Sequence, residues 1–587
     1  MAEFSKLVIT NKGQALLAKM IAGSGNIEFT KVSASSTAYT DAQLEGLTSL
    51  SNAKQTSLIS KVTRTNEVAI KVEAAFTNTE LTAGYYMKAL GLYAVDPDAG
   101  EILYAVTRET SGNCYMPAYN GITVSGAYVQ LVTTVGNAEN VSLEVDQAAV
   151  ATIGDIQELQ KQIADLEAFI GYSADDIFGV EVDFVNKKFT RLSGAVNRTP
   201  GADFDSINAF GGRKRCNVTN TGTVTAYYGD AGFTTNGTAN TELRPSVQVM
   251  VEQPKFYYKV VPMVLEKGAK GMKIRKARYY VSDTLKPGFK VHPAFVDNGV
   301  VNPYIYLAAF EGSLCDISSR NYILDDAQVA DFSMDSLSSI ANAKPVSGLT
   351  QNLTRANTRL LARNRGKGWE QSYAATIAAS QLLMLIEYAT FDMQKVIGNG
   401  VTNKTDDGKT SMTEITGATV NLGNASGSIT NANGYNIVSY RGEENIWGNI
   451  WTWVDGMNEE NPTPFSTGEV GTLYVADHGF VDDSKASPYK NTGIHPDQGS
   501  GYVSAFGYSE EFDWLFIPAE HTGNSTLPVG DYFWNNNSGW RVARLGGHWT
   551  NGAIAGAFYW SLHNAASYRI RNVGGRLVYV PSKREAA

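Results

Sequence analysis

Cysteine is scarce: three in 587 residues, Cys114, Cys216 and Cys315, with no CxxC pair and no histidine at metal-ligand spacing. That pattern excludes a disulfide framework and a zinc site and leaves three free thiols. Charge is also sparse, at 18% of residues, and the net formal charge of −9 speaks against a general nucleic-acid binder. No apolar run reaches the ~18 residues of a membrane span. The opening stretch MAEFSKLVITNKGQALLAKM is interrupted by Lys6, Lys12 and Lys19, so it has no signal-peptide core. The expectation is a protein made in the cytoplasm, without a conventional export signal and without membrane insertion.

What is present is core material. Apolar residues make up 43% of the chain, which describes a globular protein, and the length suggests roughly three to five domains. The expected fold class is multidomain α+β and β-rich. It comprises an α+β domain over 1–148, a short coiled-coil neck over 149–172, a β-rich middle region with a long helix over 173–430, and a compact Trp-rich domain over 431–587.

In the first of these, NKGQALLAKMIAG places Leu16, Leu17, Met20 and Ile21 at helical spacing with Gly23 as a stop. GLYAVDPDAGEILYAV reads as a hairpin, because Pro97, Asp98 and Gly100 supply turn chemistry between two apolar runs. In the neck, Ile156, Leu159, Ile163, Leu166 and Ile170 recur at spacings of 3, 4, 3 and 4, an a/d heptad seam for oligomerisation. Ile at a with Leu at d favours two strands, but about two heptads supply little interface.

Further on, GVEVDFVNKKFTRL predicts a hairpin turning at Asn186. QVMVEQPKFYYKVVPMVLE and KIRKARYYVSD predict another, whose Lys and Arg side chains read as a solvated sheet face rather than a nucleic-acid patch. The run 369–397 predicts a long helix buried between sheets, since apolar residues nearly encircle it. Eight of the nine tryptophans lie beyond residue 446, in a region of short strands and frequent turns.

Three elements of that last region resemble the C-type-lectin-like fold of the sulfatase-modifying-factor (formylglycine-generating enzyme) family. They are Gly448-Asn449-Ile450-Trp451 with Trp453, Leu545-Gly546-Gly547-His548-Trp549, and Asn572-Val573-Gly574-Gly575-Arg576-Leu577. Leu545 and His548 depart from the family pattern. Formylglycine generation needs cysteines near the site and none lies beyond Cys315, so the resemblance implies a binding scaffold. The same scaffold serves phage receptor-binding proteins, including those diversified by retroelements. In these, the segment between the second and third elements faces the ligand.

The N-terminal region is similar to the N-terminal domain of phage tail-collar fibre proteins. Thr10, Gly13 and Leu17 carry its opening helix pattern, and Ala89, Leu90, Gly91, Leu92, Tyr93 and Asp96 most of a later strand pattern, with Lys88 and Ala89 replacing the usual acidic neighbourhood.

Together the resemblances imply a tail fibre or receptor-binding protein of a phage or phage-tail-like particle, located in the virion. It would join baseplate or tail proteins through its N-terminus and bind a glycan or protein on the host surface through its C-terminus. The resemblance further implies a homotrimer, without cofactor, metal or catalytic residue. The contact residues expected are Trp549, Asn551, Tyr559, Ser561, His563, Asn564, Ser567 and Tyr568, with Asn536 and Trp540 from a second loop. Tyr and Trp offer contact area at low entropy cost, and Asn, Ser and His offer adaptable hydrogen bonds. Trp549 and Trp560 also read as core plugs. The alternative is a glycan depolymerase. It would need two carboxylates across a cleft, whereas Glu443/Glu444 and Glu459/Glu460 are sequence neighbours, and no β-helix repeat is present.

Overall fold

The computed structural model describes residues 4–23, 27–64, 69–112, 114–119, 125–134, 145–146, 162–163, 166, 172, 174–236, 247–268, 271–319, 321–322, 329–349, 351–463 and 470–584. The chain divides into two units, Met1–Gln160 and Lys161–Ala587. Strand at 41% against 13% helix makes it β-rich, as its alternating patterns predict.

In the first unit the predicted amphipathic helix forms over Asn11–Gly23. Thr10 starts it, its Oγ1 accepting from Gly13 N at 3.0 Å while donating to Leu103 O at 2.6 Å. Gly13 is required by proximity: a Cβ there would lie 2.1 Å from Tyr104 O. Leu16 buries against Val32, Leu92 and Tyr104. The helix packs on an eight-stranded antiparallel sheet ordered Val8–Ile9, Gly100–Arg108, Ala89–Asp96, Phe29–Ser35, Ala53–Arg64, Ala69–Thr77, Gly126–Thr134, Val145–Asp146. The predicted hairpin is its second and third strands. Asp96 Oδ1 accepts from Asp98 N and Ala99 N, and Gly100 takes φ 72°, so the turn forms as its residues dictate.

The second unit is organised around the helix Ala374–Tyr388, shorter than the 369–397 run because Trp369–Gln371 is a strand and Ala389 ends the helix in the left-handed region at φ 52°. Apolar side chains surround it on all faces. Phe178 and Val180 come from a seven-stranded sheet, Val249 and Leu307 from a six-stranded one, and Val454, Leu545 and Phe558 from an eight-stranded one. The Asn186 hairpin is present as Ile177–Asp183 with Lys188–Ser193.

The second hairpin differs from expectation. Val247–Pro254 belongs to the six-stranded sheet, and the hairpin begins afresh at Tyr257–Gly268 with Gly271–Ser282. Between them Phe256 turns into the core against His292 and Phe295, which ends the first strand. The basic residues of this hairpin are matched by acids, Lys273 and Arg275 by Glu520 and Lys276 and Arg278 by Glu181. The three cysteines are buried and form no disulfide.

The expected boundary at 430/431 falls inside one unit. The strand Leu577–Tyr579 lies between Tyr304–Ala308 and Trp369–Gln371, and Ala505–Tyr508 extends the sheet of Gly271–Ser282. Composition changes near residue 430, but strand partners come from both sides of it, and texture along a sequence carries no information on pairing. Of the heptad seam, Ile156, Leu159 and Ile170 lie outside the described residues. Ile163 and Leu166 are helical and exposed, at 51% and 61%.

Candidate functional site

The three motif elements of the C-terminal region meet in space. Trp451–Asn461 pairs antiparallel with Gly539–Gly546, with Thr452 opposite Leu545, and parallel with Val573–Gly574. Asn449 is fully buried in the left-handed region at φ 56°, where its amide donates to Glu311 Oε2 at 2.7 Å and accepts from Glu414 N at 2.7 Å. Gly546, at φ 98°, lets the chain pass Ile446, whose carbonyl would lie 2.8 Å from a Cβ. Trp549 then plugs a small cluster with Val401 and Ile437, and Arg576 ties the closing strand to the carbonyls of Glu444 and Ala308.

Gly539–Gly546 pairs in turn with Gly556–Asn564, which Tyr532–Asn535 flanks on its other side. Gly556–Asn564 is thus a central strand, and both its faces are covered. On one side Phe558, Trp560 and Leu562 join the helix core. On the other, Tyr559 packs 4.6 Å from Trp451 and 5.9 Å from Tyr532. Two expected contact residues are therefore interior: Tyr559 is 2% exposed and Ser561 fully buried. Trp549 is interior as well, in its role as a plug. Tyr559 and Ser561 are interior because a second layer of aromatics covers the side of this strand that faces away from the helix core.

The remaining candidates lie at the end of that strand and just beyond it. His563, Asn564 and Tyr568 are half-buried and Ser567 is exposed. Asn551 is half-buried and caps its own turn, accepting from His548 N at 2.7 Å. The Asn535–Asn537 loop divides its labour. Asn535 is buried on Glu459, Asn536 is exposed, and Asn537 donates to both the ring Nε2 and the carbonyl of His563 at 3.0 Å. Trp540 is half-buried 6.1 Å from Tyr474. Two residues not singled out from sequence complete the surroundings. Trp534 stacks on His563 at 4.3 Å, and Arg544 lies with its guanidinium 4.4 Å over Trp451 and 5.4 Å over Tyr568. Arg544 sits in an apolar-flanked strand, VARL, where one charge among inward-facing residues was the available signal.

Electrostatically this corner holds the unpaired Arg544 charge, and beside His548 the ion pair of Asp406 with Arg571. Burial, with the nearby Arg544 charge, pushes the His548 and His563 imidazoles down to about 4, so both are neutral at physiological pH. The carboxylate pairs serve structure. Glu443 pairs with Arg213, Glu444 accepts from Gly417 N and Thr419 N, and Glu460 pairs with Lys485. Glu459 is fully buried, and that burial pushes its carboxyl up to about 8. Among the described residues, no three His, Cys, Asp or Glu side chains come together as a metal site.

No curated protein matches this chain. A solved structure titled Major Tropism Determinant U1 Variant is similar at 10% identity and a TM-score of 0.21, over 63% of this chain and 72% of that one, a likeness too slight to carry an argument. The family model of the phage tail-collar fibre protein N-terminal region matches residues 1–154, nearly all of the first structural unit. Over that region the chain is similar to the N-terminal domain of phage tail-collar fibre proteins.

Proposed function

We propose that the chain attaches to a phage or phage-tail-like particle through its first unit and binds a host-cell-surface receptor through the C-terminal part of its second, acting as an adhesin and not as an enzyme. The part carrying the three motif elements is, in this reading, a C-type-lectin-like head. The observation that carries the proposal is the corner formed by His563, Asn564, Ser567 and Tyr568 with Asn536. Half-buried aromatic and amide groups there retain unused hydrogen-bonding atoms, among them Asn564 Oδ1 and Asn572 Oδ1. Native proteins pair nearly all such atoms with protein, ordered water or a ligand, and here they face the candidate corner. The exposed Ile163 and Leu166 support a neck that joins three copies, and three weak heads on one surface gain avidity by intramolecular rebinding.

Adsorption tests this. Asn564→Ala, Ser567→Ala and Tyr568→Ala combined should abolish binding to host cells with the circular-dichroism spectrum unchanged. Removing residues 1–154 should give fibres that bind cells but no longer co-purify with particles. A triple variant that adsorbs like the parent refutes the proposed face. Release of glycan fragments from host cells would favour a depolymerase.

A further inference from the structure

Arg544 differs from every other buried arginine of the second unit. Arg213, Arg355, Arg359 and Arg441 are paired with carboxylates. Arg215, Arg365 and Arg576 distribute their donors over carbonyl, hydroxyl and amide oxygens of the surrounding loops. Arg544 is 3% exposed, and among the described residues it meets no carboxylate. Its Nε donates to Ser561 Oγ at a long 3.3 Å, the Tyr568 hydroxyl is its other polar neighbour, and the rest of the guanidinium lies between the Trp451 and Tyr568 rings. A buried cation without a counter-ion is costly, and a fixed planar fork of donors fits a carboxylate.

The neighbouring groups are complementary to the same ligand. Asn537 donates its amide to His563 Nε2 and to the His563 carbonyl, which fixes that ring with its proton on Nδ1. Asn572 Nδ2 lies 3.2 Å from His548 Nε2, with the roles set by that ring's tautomer. Both Nδ1 atoms are buried without a hydrogen-bond partner. Beside the unused His563 donor stand unused acceptors, Asn564 Oδ1 and Asn572 Oδ1. Donors around a cation call for an anion, and adjacent acceptors call for hydroxyl groups on the same molecule. An inorganic anion supplies only the first.

We propose that Arg544 is the carboxylate-binding group of a subsite for an acidic sugar, with Asn564 and Asn572 accepting from the sugar hydroxyls and Tyr568 covering it. The proposal rests on the receptor-binding reading above and names the ligand class. Such a sugar belongs to an acidic cell-surface glycan, and the protein's own negative charge does not draw it in. Selectivity therefore has to come from this one desolvated contact.

The test uses the full chain with methyl glucuronide, methyl galacturonide and N-acetylneuraminic acid as probes, against methyl glucoside, acetate and inorganic phosphate. At least one acidic sugar should bind at least ~10-fold more tightly than methyl glucoside, the discrimination expected of a charge-assisted bidentate bond. Arg544→Met should bind all sugars equally weakly while its unliganded melting temperature stays level or rises, since an unpaired buried charge is removed. Arg544→Lys should keep part of the preference. Equal binding of acidic and neutral sugars by the parent overturns the proposal. So do acetate or phosphate binding as tightly as the sugars, unchanged discrimination in Arg544→Met, or a large fall in that variant's unliganded melting temperature. Adsorption separates the two readings. Arg544→Met fibres that lose sugar discrimination yet still adsorb fully leave the subsite intact and place the receptor elsewhere. An adsorbing parent with no acidic-sugar preference retains the receptor reading and removes the subsite.

Discussion

Glu459 provides a direct measure of how dry the interior beneath the candidate face is. Its side chain is fully buried, with Oε1 accepting from Asn535 Nδ2 at 2.8 Å and Oε2 from Asn461 Nδ2 at 3.3 Å. Burial outweighs these bonds and the Arg541 charge, and raises the carboxyl from its usual 4.5 to about 8. Below about pH 4.5 folded and unfolded chains both hold the proton and the group is neutral to stability. Between about 4.5 and 8 the unfolded chain releases the proton and the folded chain keeps it, so stability falls as pH rises. A gap of that size corresponds to on the order of 5 kcal/mol across the window. Glu459→Gln imitates the protonated carboxyl in shape and charge while removing its titration. Urea midpoints of the full chain, followed by tryptophan fluorescence from about pH 5 to about pH 8, should decline in the parent and decline markedly less in Glu459→Gln. The residual slope belongs to the other groups that burial shifts: Glu311, raised to about 8, with Asp513 and Asp531, also raised, and, with opposite sign below about pH 6.5, the depressed His292, His548 and His563. The solvent-side neighbour Glu460, paired with Lys485, should behave as parent when changed to Gln. Parallel curves for parent and Glu459→Gln would refute the account of a desolvated, protonated Glu459.

Further outcomes separate core from surface and one unit from the other. Tyr559→Ala empties the space against Trp451 and should cost about 3–5 kcal/mol in the same denaturation assay, whereas Ser567→Ala should be within about 0.5 kcal/mol of parent. Gly13→Ala sets a methyl group against Tyr104 O and should lower the melting temperature of the first unit, read in isolated residues 1–160, while sparing the tryptophan signal of the second in the full chain. Light scattering should give about three times the 63.5 kDa chain mass, and Ile163→Asp should shift that towards monomer. A monodisperse parent monomer would remove the neck.

Where structure is local, the residues announced it. The helix Asn11–Gly23, its Thr10 start and the turn at Asp96–Gly100 follow from short-range chemistry alone. So does the hairpin at Asn186. The meeting of Trp451, Leu545 and Val573 was legible for another reason, because their motifs carry glycines and tryptophans at positions where backbones must pass closely. What remained hidden was pairing across long distances. Tyr559 and Ser561 were expected at the surface, yet Trp451 and Tyr532 arrive from some distance along the chain to cover Tyr559. Arg544 was hidden likewise, since its distinction lies in partners it lacks, and a missing partner leaves no mark in a sequence.

The strand Leu577–Tyr579 fills a gap between Tyr304–Ala308 and Trp369–Gln371. During synthesis both flanking strands emerge from the ribosome long before it does. Until then each has an unpaired edge, the kind of surface that invites wrong pairing. A second unit in which Leu577–Tyr579 is absent or mispaired cannot close this sheet, and it carries two open edges on which another chain can add a strand.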